Sequence, residues 1–419
     1  MGKALIEPGR RHGPGPGDTQ GGSTAAPDRS LVIGVFIQHY PPRLGGAECQ
    51  AKLLVSELVR CGHRVELVTT RHSPELPART SLGLLTIRRL PTLAPRWLKL
   101  PLNLVTGFIA GMQYTRTIDL MHGHCLSPFV LGALLAAKLR GTPTLLKICT
   151  IGKKGDIAKI QRFGFRRLLW RLYQQADYFV ANTLAVENEL IAQGVARARI
   201  FTVYNMLEQA THPAAPQDKG YLRRALGLAD KLTVLYVGRL HPDKGLGLVM
   251  RYWPSMARQY DAQLVLVGEG PLRAQIESWR VAQQLQAAVT LTGYQPDPGP
   301  YYRAADVFVF PSESEAFGNA IVEAMSHGLA VVTTRVGVAS EWGDETPLAV
   351  IDAEFPEDLS RRLDELLRDD SRRRELGERA GQFMSGRFES RAIGEQYIAQ
   401  YRQMLRESGD RAGWRDSSG

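Results

Sequence analysis

Cysteine is scarce in this sequence: Cys49, Cys61, Cys125 and Cys149 are the only four in 419 residues. None forms a close pair or a Cys-x-x-Cys, which excludes a disulfide scaffold, a haem attachment motif and a zinc cluster of ordinary spacing. Four reduced thiols are expected. Long apolar runs are also missing. The most membrane-like stretch, residues 98–112, is interrupted by Lys99, Pro101 and Asn103 and is too short to span a bilayer. Residues 1–29 are Gly- and Pro-rich and too polar for a signal-peptide core, so a disordered leader on a cytoplasmic protein is expected. The 41 glycines and 24 prolines follow no strict period, which excludes a collagen, and no solenoid-length repeat is present. Hydrophobic residues at 44% against 22% charged exclude an intrinsically disordered chain. At ~100–200 residues per domain, the length fits two domains or three.

Charge is divided unevenly. Residues 1–205 carry 27 Lys and Arg against 12 Asp and Glu, whereas residues 206–419 carry 25 against 30. A basic first half suits an anionic partner: a membrane surface, a phosphorylated substrate or nucleic acid. No recognised RNA- or DNA-binding motif accompanies that charge, so no nucleic-acid partner is expected.

Short apolar runs alternate with helical patterns. Strands are expected at 31–38, 65–70, 84–89, 120–122, 144–148, 178–181 and 200–203, and again at 233–237, 263–267, 289–291, 307–310 and 330–333. Helical stretches lie between them, among them 47–61, 127–139, 157–175, 183–193, 247–259, 272–285, 320–327 and 355–368. Strands this apolar, regularly separated by helices, imply parallel sheets covered on both faces. The series occurs twice, so the expected fold is α/β: two Rossmann-like doubly wound domains facing across a cleft. The boundaries read as a leader at 1–29, a first domain at 30–206 and a second at 207–389. The Pro-rich segment 207–220 forms the linker, and 390–419 is a last helix packing back on the first domain, with a tail. In such sheets ligands sit beyond the carboxyl ends of the strands.

The loops at those ends hold the chemistry. The first strand runs into Gln38-His39-Tyr40 and on to Gly45-Gly46-Ala47-Glu48 at a helix start, where backbone N–H groups and the helix dipole favour an anion. A tight strand–helix turn accounts for the same residues, and Gly-x-Gly-x-x-Gly is absent from this loop. Gly238-Arg239-Leu240 with Lys244-Gly245 offers two cations after a strand, the pairing a diphosphate needs; two solvated surface cations are the plain alternative. Gly268-Glu269-Gly270-Pro271 ends another strand, and Tyr294 follows Gly293, where a nucleobase can lie. Pro311-Ser312 leads to Glu315 and Glu323, with seven residues between the two glutamates and Phe317, Gly318 and Asn319 at a helix N-terminus. Two acceptor-only carboxylates flanking an anion-binding turn can grip hydroxyls at two ends of one elongated ligand; helix capping and solvation are the alternative.

In order along residues 31–407, these segments resemble the retaining GT-B glycosyltransferases of the family 4 type, with Gly337 to Glu341 similar to the segment that follows. The resemblance implies a nucleotide-diphosphate sugar in the second domain. Arg239 and Lys244 are expected at the diphosphate, with Glu315 on the donor-sugar hydroxyls as the third catalytic residue. Donor binding is expected at Gly45, Gly46, Gly238, Gly268, Tyr294, Phe317, Gly318, Asn319 and Glu323, the last on the ribose. The resemblance implies retention at the anomeric carbon with no cofactor and no metal, and the sequence has no Asp-x-Asp. The family's usual His after the strand at 144–148 is missing. That stretch reads Lys147-Ile148-Cys149-Thr150, and His39, His124 and Lys147 stand as acceptor-side candidates.

The acceptor, a glycan or lipid-linked molecule in cell-envelope polysaccharide or glycolipid synthesis, is expected on the basic first domain. Residues Ile157–Tyr173 read as one basic amphipathic helix that suits an anionic membrane, on the inner face of which the protein is expected to lie. A sheet-covering helix with a solvated Arg face explains the pattern equally. A small soluble acceptor, or a non-catalytic nucleotide-sugar-binding protein of the same fold, is the competing reading.

Overall fold

The computed structural model describes residues 29–41, 45–91, 99–152, 155–162, 164–207, 218–344, 346–352 and 355–416. The expected leader up to residue 28, and residues 208–217 of the expected linker, lie outside the described residues.

The first series of elements is β1 (Val32–Ile37), α1 (Gly46–Arg60), β2 (Arg64–Arg71), β3 (Arg79–Leu82), β4 (Leu85–Pro91), α2 (Lys99–Tyr114), β5 (Leu120–His124), α3 (Pro128–Leu139), β6 (Thr144–Lys147), α4 (Asp156–Gln161), α5 (Arg166–Tyr173), β7 (Tyr178–Ala181), α6 (Leu184–Ala192) and β8 (Ile200–Thr202). Its strands form one sheet in the order β3-β4-β2-β1-β5-β6-β7-β8, parallel throughout except for the β3–β4 hairpin. The second series is α7 (Lys219–Ala225), β9 (Leu232–Val237), α8 (Leu246–Gln259), β10 (Ala262–Val267), α9 (Arg273–Ala282), β11 (Val289–Gly293), α10 (Gly299–Ala304), β12 (Val307–Phe310), α11 (Asn319–Ser326), β13 (Ala330–Thr334), β14 (Ala349–Ile351), α12 (Glu357–Arg368), α13 (Asp370–Met384) and α14 (Ser390–Asp416). Its sheet is parallel in the order β11-β10-β9-β12-β13-β14. Two parallel α/β sheets, each wound outward in both directions from a central strand, are the expected architecture.

The two-residue period of a strand explains why both faces need cover. Ile33, Val35 and Ile37 of β1 point into one apolar layer with Leu54 and Leu58 of α1. Phe36 points to the other, with Phe129, Val130 and Leu134 of α3. The first layer is completed by α14, whose Ile393, Tyr397, Ile398, Tyr401 and Met404 are buried there. Each such aliphatic burial stabilises by about 1.5–3 kcal/mol. The chain crosses between the sheets at two adjacent places: Leu207 N–H donates to Phe388 O (2.8 Å), and Ser390 Oγ donates to Leu207 O (2.8 Å).

One reading of the sequence needs correction. Residues 157–175 do not form one helix. The segment breaks between α4 and α5, around Gly164, because Ile157 and Ile160 turn into the core while Phe165, Arg166, Arg167 and Leu168 turn outward. Residues 99–112 of the interrupted stretch lie in helix α2. Pro101 sits in its first turn, where a missing N–H costs nothing, and Gly107 lets α2 press on α3, since a Cβ there would lie 1.9 Å from Phe129 O.

Candidate active site

In the second domain, five loops at the carboxyl ends of the strands are laced together by backbone hydrogen bonds. Leu240 N–H donates to Glu269 O (2.9 Å), Gly268 N–H to Gly293 O (2.8 Å), Glu313 N–H to Asp243 O (2.9 Å) and Val338 N–H to Phe317 O (2.8 Å). Gly268 is required by this lacing: at φ +141°, its Cβ would fall 1.9 Å from Gly238 O. The segments containing Arg239, Glu269, Tyr294, Glu315 and Glu341 therefore converge on one rim although up to a hundred residues separate them.

Within the rim, Lys244 Nζ lies 2.5 Å from Glu315 Oε1, and both side chains are largely covered. Ser312 Oγ donates to the same carboxylate oxygen at 2.8 Å. Arg239 is 60% exposed at its side chain and lies 3.6 Å from Asp243, so it is free to swing to a ligand. Burial works against the charge on Asp243, but a hydrogen bond from the His241 ring, then Lys244 and Arg239, hold its pKa below the ordinary value. Tyr236 fixes the loop from below by donating to Arg239 O at 3.0 Å.

Glu323, on α11, accepts from Tyr302 Oη at 2.9 Å. Tyr302 is fully buried and stacks on His327, so that oxygen of Glu323 has a fixed direction. Tyr294, in the loop after β11, is exposed.

The first domain closes over this rim. Gly46 opens α1 and Asn319 opens α11, and a Cβ on Gly46 would lie 3.2 Å from Asn319 Nδ2. Two helix N-termini thus meet, and a helix N-terminus favours negative charge. Asn205 Nδ2 donates to Asn319 Oδ1 (3.0 Å), and Thr183 Oγ1 donates to Ala316 O (2.9 Å). Glu341 caps α6 from the other domain by accepting the Leu184 N–H, and it also accepts from Tyr204 Oη (2.8 Å). Burial pushes the Glu341 carboxyl above its usual pKa despite those two bonds.

The expected donor-side residues Gly45, Gly46, Gly238, Arg239, Lys244, Gly268, Tyr294, Glu315, Phe317, Gly318, Asn319 and Glu323 all border this region. The acceptor-side candidates separate. His39 stays partly exposed in the loop after β1. His124 and Lys147 are 0% and 4% exposed, beneath the cleft rather than facing it. Both were expected to face an acceptor, but each ends a central strand whose two faces are covered. His124 packs on His122 at 4.3 Å between ring centroids, and burial followed by the charge of Lys147 pushes the His122 pKa down to about 3.

The motif reading included Ser312 and Glu341 without giving them a role, and gave none to Tyr302, Asn205 or Thr183. Ser312 stood three residues before Glu315 and was there to be seen. The others come close only through tertiary structure. Among the described residues one trio has metal-capable atoms within 4.8 Å of one another: Cys125, Cys149 and Asp156. The Asp156 carboxylate is already engaged by Cys149 N–H (3.0 Å), Thr150 N–H (3.3 Å) and Thr150 Oγ1 (2.7 Å). The hydrogen bond with Cys149, then burial, pushes the Cys125 thiol far from thiolate formation.

The family model described as Glycosyl transferases group 1 matches residues 231–369, and that described as Glycosyl transferase 4-like domain matches residues 45–206. The chain is a group 1 glycosyltransferase of GT-B fold. This glycosyltransferase is 28% identical over 253 residues to the sulfoquinovosyl transferase SQD2 of Arabidopsis thaliana, an alignment covering 58% of this chain and 48% of that one, about half the relative's length. It is 24% identical over 310 residues to N-acetyl-alpha-D-glucosaminyl L-malate synthase of Bacillus anthracis, covering 71% and 78% of the two chains. The structure of Anabaena HepE in complex with UDP-glucose superposes with a TM-score of 0.72 at 19% identity, covering 89% of this chain and all of that one.

Proposed function

We propose that this glycosyltransferase moves one sugar, with retention and without a metal, from a nucleotide-diphosphate sugar to a glycan or lipid-linked acceptor in cell-envelope polysaccharide or glycolipid synthesis. The observation that carries the reading is the convergence of Lys244, Arg239 and the N-termini of α1 and α11 on one cleft. Breaking the anomeric bond leaves negative charge on the diphosphate and positive charge on the sugar ring. Fixed cations and N–H groups where that negative charge develops lower the barrier without reorganising. Glu315 is set to accept from donor-sugar hydroxyls, Glu323 from the ribose, and Tyr294 to lie against the base. No side chain is assigned as a dedicated base. The leaving phosphate takes the acceptor proton on the same face, which preserves the anomeric configuration.

A lipid-linked acceptor is supported by the outer surface of the first domain. Phe165, which caps α5, and Leu168 on it are exposed beside Arg166, Arg167 and Arg171, and on α2 Val105 and Ile109 are exposed on one face. Both helices pack against α3. Exposed apolar groups beside arginines suit the boundary of an anionic membrane, here its cytoplasmic face. Among the described residues no helix is long and apolar enough to cross a membrane. The relative whose name contains L-malate favours the second reading, a small soluble acceptor.

Proton NMR of the product's anomeric coupling tests the mechanism: the donor's configuration is expected, unchanged in excess EDTA, and an inverted product refutes it. Pelleting with phosphatidylglycerol vesicles at low and high salt separates the acceptors. Salt-sensitive binding lost in Arg166→Glu/Arg167→Glu is expected, and no binding at low salt favours the soluble acceptor.

A further inference from the structure

Asn319 is tied to the C-terminal helix by a chain of buried polar contacts. Lys147 Nζ, at the end of β6, donates to Tyr397 Oη on α14 (3.0 Å) and to Asn205 Oδ1 after β8 (2.9 Å). Asn205 Nδ2 then donates to Asn319 Oδ1 at 3.0 Å. Lys147 and Asn205 are 4% and 5% exposed, and among the described residues no carboxylate forms an ion pair with Lys147. An ammonium buried on neutral partners is costly, so its retention calls for a reason.

The reason lies in what each group can do. An ammonium only donates, whereas an amide has one accepting end and one donating end. Lys147 therefore forces Asn205 to turn Oδ1 inward and Nδ2 outward. Asn319 must then accept with its Oδ1, which leaves its own Nδ2 as the end beside Gly46. We propose that Lys147 is a positioning residue that sets the polarity of this relay, so that Asn319 presents a donor to the diphosphate held between α1 and α11. With the relay reversed, a carbonyl oxygen would face the anion. The inference rests on the reading of this cleft as a nucleotide-diphosphate site.

Asn205→Asp is the sharpest test. Aspartate accepts from Lys147 as an ion pair, so the fold is kept, but it also accepts from Asn319, whose amide must flip. Affinities of the full chain for UDP, by calorimetry, and for uridine, by ligand-observed NMR, are compared across wild type, Asn205→Asp and Lys147→Met. The expected result is UDP binding weakened about tenfold in both variants, the scale of one hydrogen bond to a charged group, with uridine binding unchanged. Should Lys147→Met fail to fold, Asn205→Asp decides alone. UDP affinity unaltered in folded Asn205→Asp, or UDP and uridine affinities falling together, overturns the polarity role while leaving the donor site standing. Wild-type protein that binds none of UDP, GDP and ADP overturns the donor-site reading and this inference with it.

Discussion

Lys244 Nζ lies 2.5 Å from Glu315 Oε1 and joins the loop after β9 to the loop after β12. The pair holds two charges together, and on the function proposed above the cation is shared with phosphate and the carboxylate with sugar hydroxyls. Lys244→Met leaves Glu315 poorly compensated in a largely covered position. It is expected to lower stability by about 1–3 kcal/mol and kcat/KM by about 100-fold or more. Lys244→Met/Glu315→Gln is expected to regain most of the stability and none of the activity. Chemical denaturation and steady-state kinetics on the same preparations check both. Stability that falls additively in the double variant contradicts the pairing.

Tyr302 aims one oxygen of Glu323 through a 2.9 Å hydrogen bond. Glu323→Ala removes the acceptor itself and is expected to weaken nucleotide-diphosphate binding about 10–100-fold. Tyr302→Phe removes only the orientation, and a loss of about threefold is expected, the lower range for a single net hydrogen bond. Calorimetry with UDP orders the two, and a larger effect for Tyr302→Phe refutes the assignment.

His122 and His124 form a neutral imidazole pair under the cleft. The folded-state pKa of His122 lies near 3 against the ordinary 6.5, and burial, then the charges of His122 and Lys147, push His124 down as well. The unfolded chain therefore binds protons that the folded chain refuses. For His122, stability is full above about 6.5 and falls as pH drops towards 3, by up to about 1.4 kcal/mol per pH unit, and His124 acts in the same direction. Neither ring nitrogen of His124 has a hydrogen-bond partner among the described residues. His124→Leu is thus expected to flatten the acid limb and to gain about 1 kcal/mol at pH 5. Urea melts at pH 5 and pH 8 measure it, and an unchanged slope contradicts the account.

The doubly wound pattern was legible because a strand covered on both faces must be apolar at every position, as in β10, where all six residues are buried. The short strands β3 and β14 gave no such run. Helix α2 was hidden because its apolar residues serve two purposes, some packing on α3 and others, such as Val105 and Ile109, staying exposed. The convergence of the second-domain loops on one rim was legible because their glycines and charges fall just after strand ends, where topology collects ligands. Asn205, Tyr302 and Glu341 were not, since each acquires its role from a partner 21 to 137 residues away. Lys147 misled for a related reason: a cation at a strand end reads as cleft-facing until a helix from the far terminus covers it.

The most direct measurement is thermal-shift screening of the full chain against UDP, GDP, ADP and CMP and their sugar conjugates, in EDTA. A ligand at about 100 times its dissociation constant adds about 2.7 kcal/mol of stability, well within detection. The account predicts that one nucleoside diphosphate and its sugar conjugate stand out, and that Glu323→Ala and Lys244→Met abolish the shift. A flat response to every compound would contradict a donor site in this cleft.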